Sequence, residues 1–242
     1  MTLGEKFEKV ADAVFAKGME EGNQSGYESA YSSQLVKYET MFSGNGTRTN
    51  FCGAFCGSDW TGYTFAHPLY PKSSIERMFN AYAGTELPKG IDCSQLDCTK
   101  SATYYRFAFE WAIKLKKIPD IGIPAIPYYQ NTYANCKELV EIEVIRCNRN
   151  TVFQNPFINS PNITTFRIEG EIGTNFDCSQ ISPNPNTMMS VLQGLVDYSG
   201  TTSAFKYSVL FPSDCWRNLN ETIPAPGVGY WEDYVEAKGW LF

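Results

Sequence analysis

The chain has 242 residues, 43% of them hydrophobic, which is enough to bury a sizeable core in one large domain or two small ones. Its formal net charge of −6 argues against a nucleic-acid-binding protein, because phosphate recognition needs a basic surface. The sequence also lacks any run of about 18 consecutive apolar residues, so it predicts no insertion into a membrane.

The N-terminal region, residues 1–42, is predicted to be a helical attachment or oligomerisation segment. Within a helix expected over residues 3–20, the spacing of four apolar residues is that of a coiled-coil seam: Leu3, Phe7, Val10 and Val14. An isolated helix of this length is marginal in water, so the seam should pack against another surface. Copies of the same chain, with three favoured, or another protein would supply that surface.

Residues 43–173 are predicted to form a leucine-rich-repeat-like parallel β-solenoid. Three stretches share one spacing of 24 residues: Phe109–Ile121, Tyr133–Val144 and Phe157–Ile168. Each begins with an aromatic residue and continues with two apolar positions, six and nine residues later: Leu115, Leu139 and Ile163, then Ile118, Ile142 and Phe166. This period and the Leu-x-x-Ile pattern are typical of coils that bury their apolar faces by stacking.

Less regular coils precede these three. Phe55 and Phe79 are also 24 residues apart, whereas Phe79 and Phe109 are 30 apart, which predicts an insertion of six residues within Lys89–Ser101. At offset eleven, two of the regular units add a third apolar residue, Val144 and Ile168.

The last segment, residues 174–242, is predicted to be an α/β cap that closes the solenoid, so the fold class is α+β. Thr187–Tyr198 has helical periodicity, Ser208–Phe211 has the composition of a strand, and Trp231–Ala237 is a second helix. Between them, Trp216–Leu219 indicates a turn or a short helix.

The eight cysteines and the single histidine, His67, do not form a metal-binding pattern. Structural zinc sites use closely spaced cysteine pairs that come two at a time, and here the cysteines are scattered. We therefore predict no metal, no cofactor and mostly unpaired thiols that fill space in the core. Asp92–Leu96 and Asp177–Ile181 are near-copies, which favours a structural role for Cys93 and Cys178.

No nucleophile, phosphate-loop or dinucleotide motif is present, so no catalytic residue is predicted. The alternating carboxylates Glu141/Glu143 and Glu169/Glu171 are the nearest approach to a glycosidase pair. Aromatic residues are the better candidates, because exposed tyrosine and tryptophan bind sugars and protein surfaces. The predicted binding surface consists of Tyr104, Trp111, Tyr128 and Tyr129.

Five segments carry a resemblance to a known family: Asn45–Trp60, Met78–Asn80, Asn135–Ile142, Gly194–Gly200 and Ala237–Phe242. They resemble proteins of gut Firmicutes and their phages that are relatives of the BspA-type leucine-rich-repeat family, commonly encoded among phage structural genes. The chain departs from the BspA consensus in lacking regular Asn or Ala ladder positions.

The resemblance implies a non-enzymatic phage virion protein, assembled in the bacterial cytoplasm as an accessory fibre or decoration subunit. Its expected partners are sister chains, other virion proteins and a host surface receptor or glycan. Two alternatives stay open: a bacterial leucine-rich-repeat interaction or adhesion protein, and a carbohydrate-active enzyme.

Overall fold

The computed structural model describes residues 51–97, 105–227 and 229–242, which wind into a parallel β-solenoid of about four turns. The strands are β1 (Thr64–Leu69), β2 (Lys89–Ile91), β3 (Lys117–Ile118), β4 (Tyr128–Gln130), β5 (Glu141–Cys147), β6 (Val152–Gln154), β7 (Thr165–Gly170), β8 (Phe176–Asp177) and β9 (Val209–Leu210). The helices are α1 (Pro185–Gly194), α2 (Ser213–Thr222) and α3 (Trp231–Ala237). Hydrogen-bonded strands have the orders β1-β2, β3-β5-β7, β4-β6 and β8-β9.

The strand pairing is parallel and follows the 24-residue period of the sequence. Ile118 lies beside Ile142, and Ile142 lies beside Phe166, so one predicted column is a row of neighbours across β3, β5 and β7. The members of the other column, Leu115, Leu139 and Ile163, are fully buried. The predicted solenoid and its two interior columns are confirmed.

The apolar position eleven residues after each opening aromatic does not continue this register. Ile145, not Val144, pairs with Ile168, because β5 contains one more residue than β7 between the paired positions. This bulge turns Ile145 into the core and leaves Val144 partly exposed. The alignment of Val144 with Ile168 is therefore wrong.

A ladder of aromatic rings runs through the core along the solenoid axis. Five rings from successive coils stack nearly parallel: Phe55, Phe79, Phe109, Tyr133 and Phe157. Their centroids are 5.1, 5.3, 5.8 and 5.9 Å apart, within the range of offset-stacked aromatic pairs. Phe176 meets the last ring edge-on at 5.9 Å and ends the ladder.

The C-terminal region continues the parallel pairing with added helices. Phe176 lies beside Val209, and isolated bridges join Ile172 to Leu195 and Ser208 to Leu241. Helix α1 begins after Asn184, whose side chain accepts a hydrogen bond from the Thr187 amide at 3.0 Å. Helices and a strand are present near the predicted positions, but the first helix ends at Gly194 and not at Tyr198, and α2 is a helix of ten residues where a turn or short helix was expected.

The predicted seam residues Leu3, Phe7, Val10 and Val14, together with Tyr104, lie outside the described residues. Among the helices that the structure describes, none has the length and apolar character required to cross a membrane.

Candidate functional site

Each coil carries two residues with a left-handed backbone, two positions before and two positions after its ladder aromatic. We call these ten residues the left-handed edge, and their φ angles lie between 49° and 70°: Gly53 and Gly57, Arg77 and Ala81, Phe107 and Trp111, Asn131 and Asn135, and Asn155 and Asn159. Between the two left-handed residues of a coil, the backbone N–H groups of every second residue point at the next coil. The Phe107, Phe109 and Trp111 amides donate to the next coil's carbonyls at 3.0, 2.9 and 2.9 Å.

Phe107 and Trp111 are unfavourable residues for this backbone. Glycine adopts left-handed angles freely and asparagine does so readily, whereas strained conformations cost other residues about 1–3 kcal/mol each. Trp111 is 51% exposed, so burial of its indole does not offset that cost. Strain of this kind concentrates at functional sites, which makes this coil of the edge the leading candidate for binding.

Two arginines surround the Phe107 ring. The Arg77 guanidinium carbon lies 5.0 Å from the ring centroid and that of Arg106 lies 5.7 Å from it, both within cation–π distance. Arg106 also donates from Nη2 to Glu76 at 3.1 Å, while its buried Nε has no hydrogen-bond partner. Arg77 makes no ion pair with any carboxylate among the described residues.

Amide and carboxylate groups on neighbouring coils provide hydrogen-bonding capacity beside the aromatic residues. Asn80 donates to Glu110 at 3.2 Å, and Asn159 donates from its side chain to Asn135 at 3.1 Å. The backbone N–H of Asn159 donates to the side-chain oxygen of Gln180 at 3.0 Å. Asn135 and Asn159 therefore form a hydrogen-bonded pair between two regular coils.

The predicted aromatic surface is only partly assembled. Trp111 is exposed, and Tyr128 is half-buried with its hydroxyl donating to Gln154. Tyr129 is 1% exposed, stacks on Phe153 at 5.2 Å and donates its hydroxyl to the Arg146 carbonyl. Consecutive residues of β4 point to opposite faces, so only one of the two tyrosines reaches the surface. Assigning Tyr129 to the binding surface is wrong.

The outer face of β3, β5 and β7 is occupied by ion pairs between coils. Arg146 donates two hydrogen bonds to Asp120, at 2.8 and 2.7 Å, and a third to Glu169 at 3.1 Å. The hydrogen bonds from Arg146 and Arg167 lower the pKa of Glu169. A glycosidase general acid needs a raised pKa, and the pKa of Glu169 is shifted in the opposite direction.

Acid should weaken the solenoid through Asp120, whose side chain is 27% exposed. Its hydrogen bond with Arg146 lowers its pKa from 3.8 to about 2, so its stabilising contribution is complete above pH 3.8 and is lost as the pH falls towards 2. Asp120→Asn should therefore cost about 1 kcal/mol at pH 7, allowing for solvent screening, and almost nothing at pH 2. Urea denaturation of both proteins at the two pH values measures this, and an equal difference at both would contradict it.

The buried thiols do not suit nucleophilic chemistry. Burial raises the pKa of Cys136 and Cys147 to about 12, and it raises the pKa of Cys178 as well. Cys93 and Cys178 occupy equivalent corners, because Asp92 and Asp177 accept from Ser94 and Ser179 at 2.9 and 2.8 Å. Within the described ranges, no group of three or more His, Cys, Asp or Glu side chains is placed to hold a metal ion.

A cleft of about 350 Å³ opens where the sheet divides. Strands β2 and β3 are edges of separate sheets, and pairing between their coils resumes where the Cys93 amide donates to the Ile121 carbonyl at 2.7 Å. Leu87, Pro88 and Ile121 contribute apolar surface, and Lys89 and Lys117 lie at the rim. The two sheets thus separate at residues 86–91, whereas residues 98–101 of the predicted insertion lie outside the part of the chain that the structure describes.

No protein-family model, curated protein or solved structure matches the chain.

Proposed function

We propose that this chain is a non-enzymatic phage virion protein, an accessory fibre or decoration subunit whose left-handed edge binds a saccharide on the host surface. The observation that carries the binding role is Trp111, an exposed indole held in a left-handed backbone that glycine or asparagine would adopt with less strain. The virion assignment rests on the resemblance in sequence.

A saccharide is the ligand class that best suits the chemistry of this edge. A flat, exposed indole offers a stacking face to a sugar ring, and polar groups beside it can hydrogen-bond to hydroxyls. Asn80 and Glu110 on one side of Trp111, and Asn135 on the next coil, are such groups. Sites that recognise small ligands commonly combine apolar contact with a few placed polar groups.

The remaining architecture fits presentation of such a surface. The 24-residue period and the Leu-x-x-Ile columns support a leucine-rich-repeat-like solenoid, with residues 174–242 as its cap. The seam of Leu3, Phe7, Val10 and Val14 would attach the chain to the particle or to two sister chains. A second viral protein is the other ligand that this surface would accommodate.

The alternatives differ in location and in chemistry. A bacterial leucine-rich-repeat adhesion protein would use the same edge but would be missing from particles, so mass spectrometry of purified virions separates it from the virion protein. A carbohydrate-active enzyme is less well supported, because the candidate carboxylates Glu141, Glu169 and Glu171 are held in ion pairs with Lys117, Arg146 and Arg149.

The binding role predicts that Trp111→Gly loses at least about ten-fold in saccharide affinity, a loss of about 1.4 kcal/mol of binding free energy. The free energy of unfolding should not fall, because glycine adopts a φ of 64° without strain. An array of bacterial surface saccharides, probed with the labelled wild-type and variant proteins, measures the affinity. Urea denaturation measures the stability.

Phe205→Gly is a matched control for that experiment. Phe205 has a φ of 58° and is 50% exposed, so it shares the strain and exposure of Trp111 but lies in the C-terminal region. This variant should bind like the wild type. Equal binding by wild type and Trp111→Gly, or no binding to any saccharide, would contradict the proposed role of the edge.

A further inference from the structure

We infer that the left-handed edge recognises an acidic saccharide, with Arg77 contacting the carboxylate or phosphate group of the ligand. This inference rests on the proposed function and adds the chemical class of the ligand. It comes from the arrangement of two arginines and two carboxylates around the aromatic residues Phe107 and Trp111.

Arg77 has the geometry of an anion-binding residue. Its guanidinium lies 5.0 Å from the centroid of the Phe107 ring, and the residue is exposed. Stacking on a ring fixes the orientation of a guanidinium and leaves its N–H groups available to an acceptor in two-point contact. Among the residues that the structure describes, no carboxylate forms an ion pair with Arg77.

Of the two described arginines beside the Phe107 ring, Arg77 is the one without a carboxylate partner among the described residues. Arg106, whose guanidinium lies 5.7 Å from the same ring, is paired with Glu76 at 3.1 Å. The buried Nε of Arg106 has no acceptor, so this second guanidinium is only partly satisfied by Glu76. The Phe107 end of the coil therefore carries positive charge that favours an anionic group.

The Trp111 end of the coil carries negative charge. Glu110 directly precedes Trp111 and accepts a hydrogen bond from Asn80 at 3.2 Å. A carboxylate here repels an anion but accepts hydrogen bonds from sugar hydroxyls. The edge thus has a direction: the acidic group of the ligand lies over Arg77 and Phe107, and an uncharged ring lies on Trp111.

Phe107 supports this division of roles by its own strain. Its φ is 57°, at a position where three other coils carry Gly53, Asn131 and Asn155. A glycine or asparagine there would relieve the backbone but would remove the ring on which the Arg77 guanidinium lies. The aromatic residue is therefore better explained by the placement of Arg77 than by the stability of the coil.

The test is an oligosaccharide array in which each carboxylate-bearing or phosphate-bearing member is printed beside its uncharged parent. The wild-type protein should bind acidic members at least about ten-fold more tightly than their parents, and added salt should reduce the difference. Arg77→Gln should lose that preference while binding to the uncharged parents is retained. Comparing the carboxylate-bearing members with the phosphate-bearing members shows which acidic group the site accepts.

Arg217→Gln is the control, since Arg217 is an exposed arginine on α2 away from the edge, and it should bind like the wild type. Equal binding of acidic and uncharged members, with both lost in Trp111→Gly, would overturn the acidic-ligand inference and leave the saccharide-binding function standing. Binding to no member of the array would overturn both.

Discussion

Replacing Phe109 by alanine should lower the free energy of unfolding by about 3–5 kcal/mol. The ring is fully buried in the middle of the aromatic ladder, 5.3 Å from Phe79 and 5.8 Å from Tyr133. Because each coil of a solenoid packs only on its neighbours, the cavity left by the ring would weaken both adjoining interfaces. Urea denaturation followed by circular dichroism measures the loss.

Two further variants test whether the ladder itself is responsible. Phe109→Leu keeps most of the buried volume and should lose less than the alanine variant. Val152→Ala, at a side chain 42% exposed on β6, should change stability by no more than about 0.5 kcal/mol. A Phe109→Ala protein as stable as the Val152→Ala protein would show that the stacked rings do not hold the coils together.

The interior columns could be predicted because every coil repeats the same environment. Leu115, Leu139 and Ile163 recur at one spacing, and a residue that is buried in one coil is stacked on its equivalent in the next. One period therefore determined the coil length, the parallel pairing and the identity of the core. Helical periodicity predicted α1 and α3 of the C-terminal region, whereas for α2 it indicated only a turn or a short helix.

The bulge in β5 could not be read from this periodicity. Val144 and Ile145 are adjacent and both apolar, so the alternation of side chains along a strand does not decide which of them enters the core. The pairing with Ile168 on the next coil decides it in favour of Ile145. The separation of β2 from β3 could not be read from the periodicity either, because a gap of 30 residues gives the size of an insertion and not the point where two sheets part.

The left-handed edge was missed because hydrophobic patterns carry no information about φ. A usable signal was present: Gly53, Gly57, Asn131, Asn135, Asn155 and Asn159 lie two residues from the ladder aromatics, and glycine and asparagine are the residues that tolerate left-handed angles. Against that background, the exceptions are Arg77, Ala81, Phe107 and Trp111, and the last two are the aromatic ones. The clustering of aromatic residues around the regular coils points to Trp111, whereas Phe107 is indicated only by its position in a column otherwise suited to glycine or asparagine.

Among single Gly→Ala substitutions in the solenoid, Gly170→Ala should lower the free energy of unfolding the most. Gly170 ends β7 beside Cys147 of β5, and its φ is 116°. An added Cβ would lie 1.9 Å from the Cys147 carbonyl oxygen, a backbone atom that cannot rotate away. Overpacking costs about 1–3 kcal/mol, in addition to about 1–2 kcal/mol for the positive φ, so a total loss of about 2–5 kcal/mol is expected.

Gly57→Ala separates the cost of the positive φ from the cost of the steric clash. Gly57 also has a positive φ, 70°, but an added Cβ would meet nothing within 4 Å, so this variant should lose only the strain of about 1–2 kcal/mol. Urea denaturation of both variants gives the difference, which is the steric cost of separating β5 from β7. Equal losses would mean that the two strands move apart at this point without penalty. A larger loss for Gly170→Ala would instead establish that glycine is required there by the close approach of two coils, whereas at Gly57 it is favoured by backbone conformation alone.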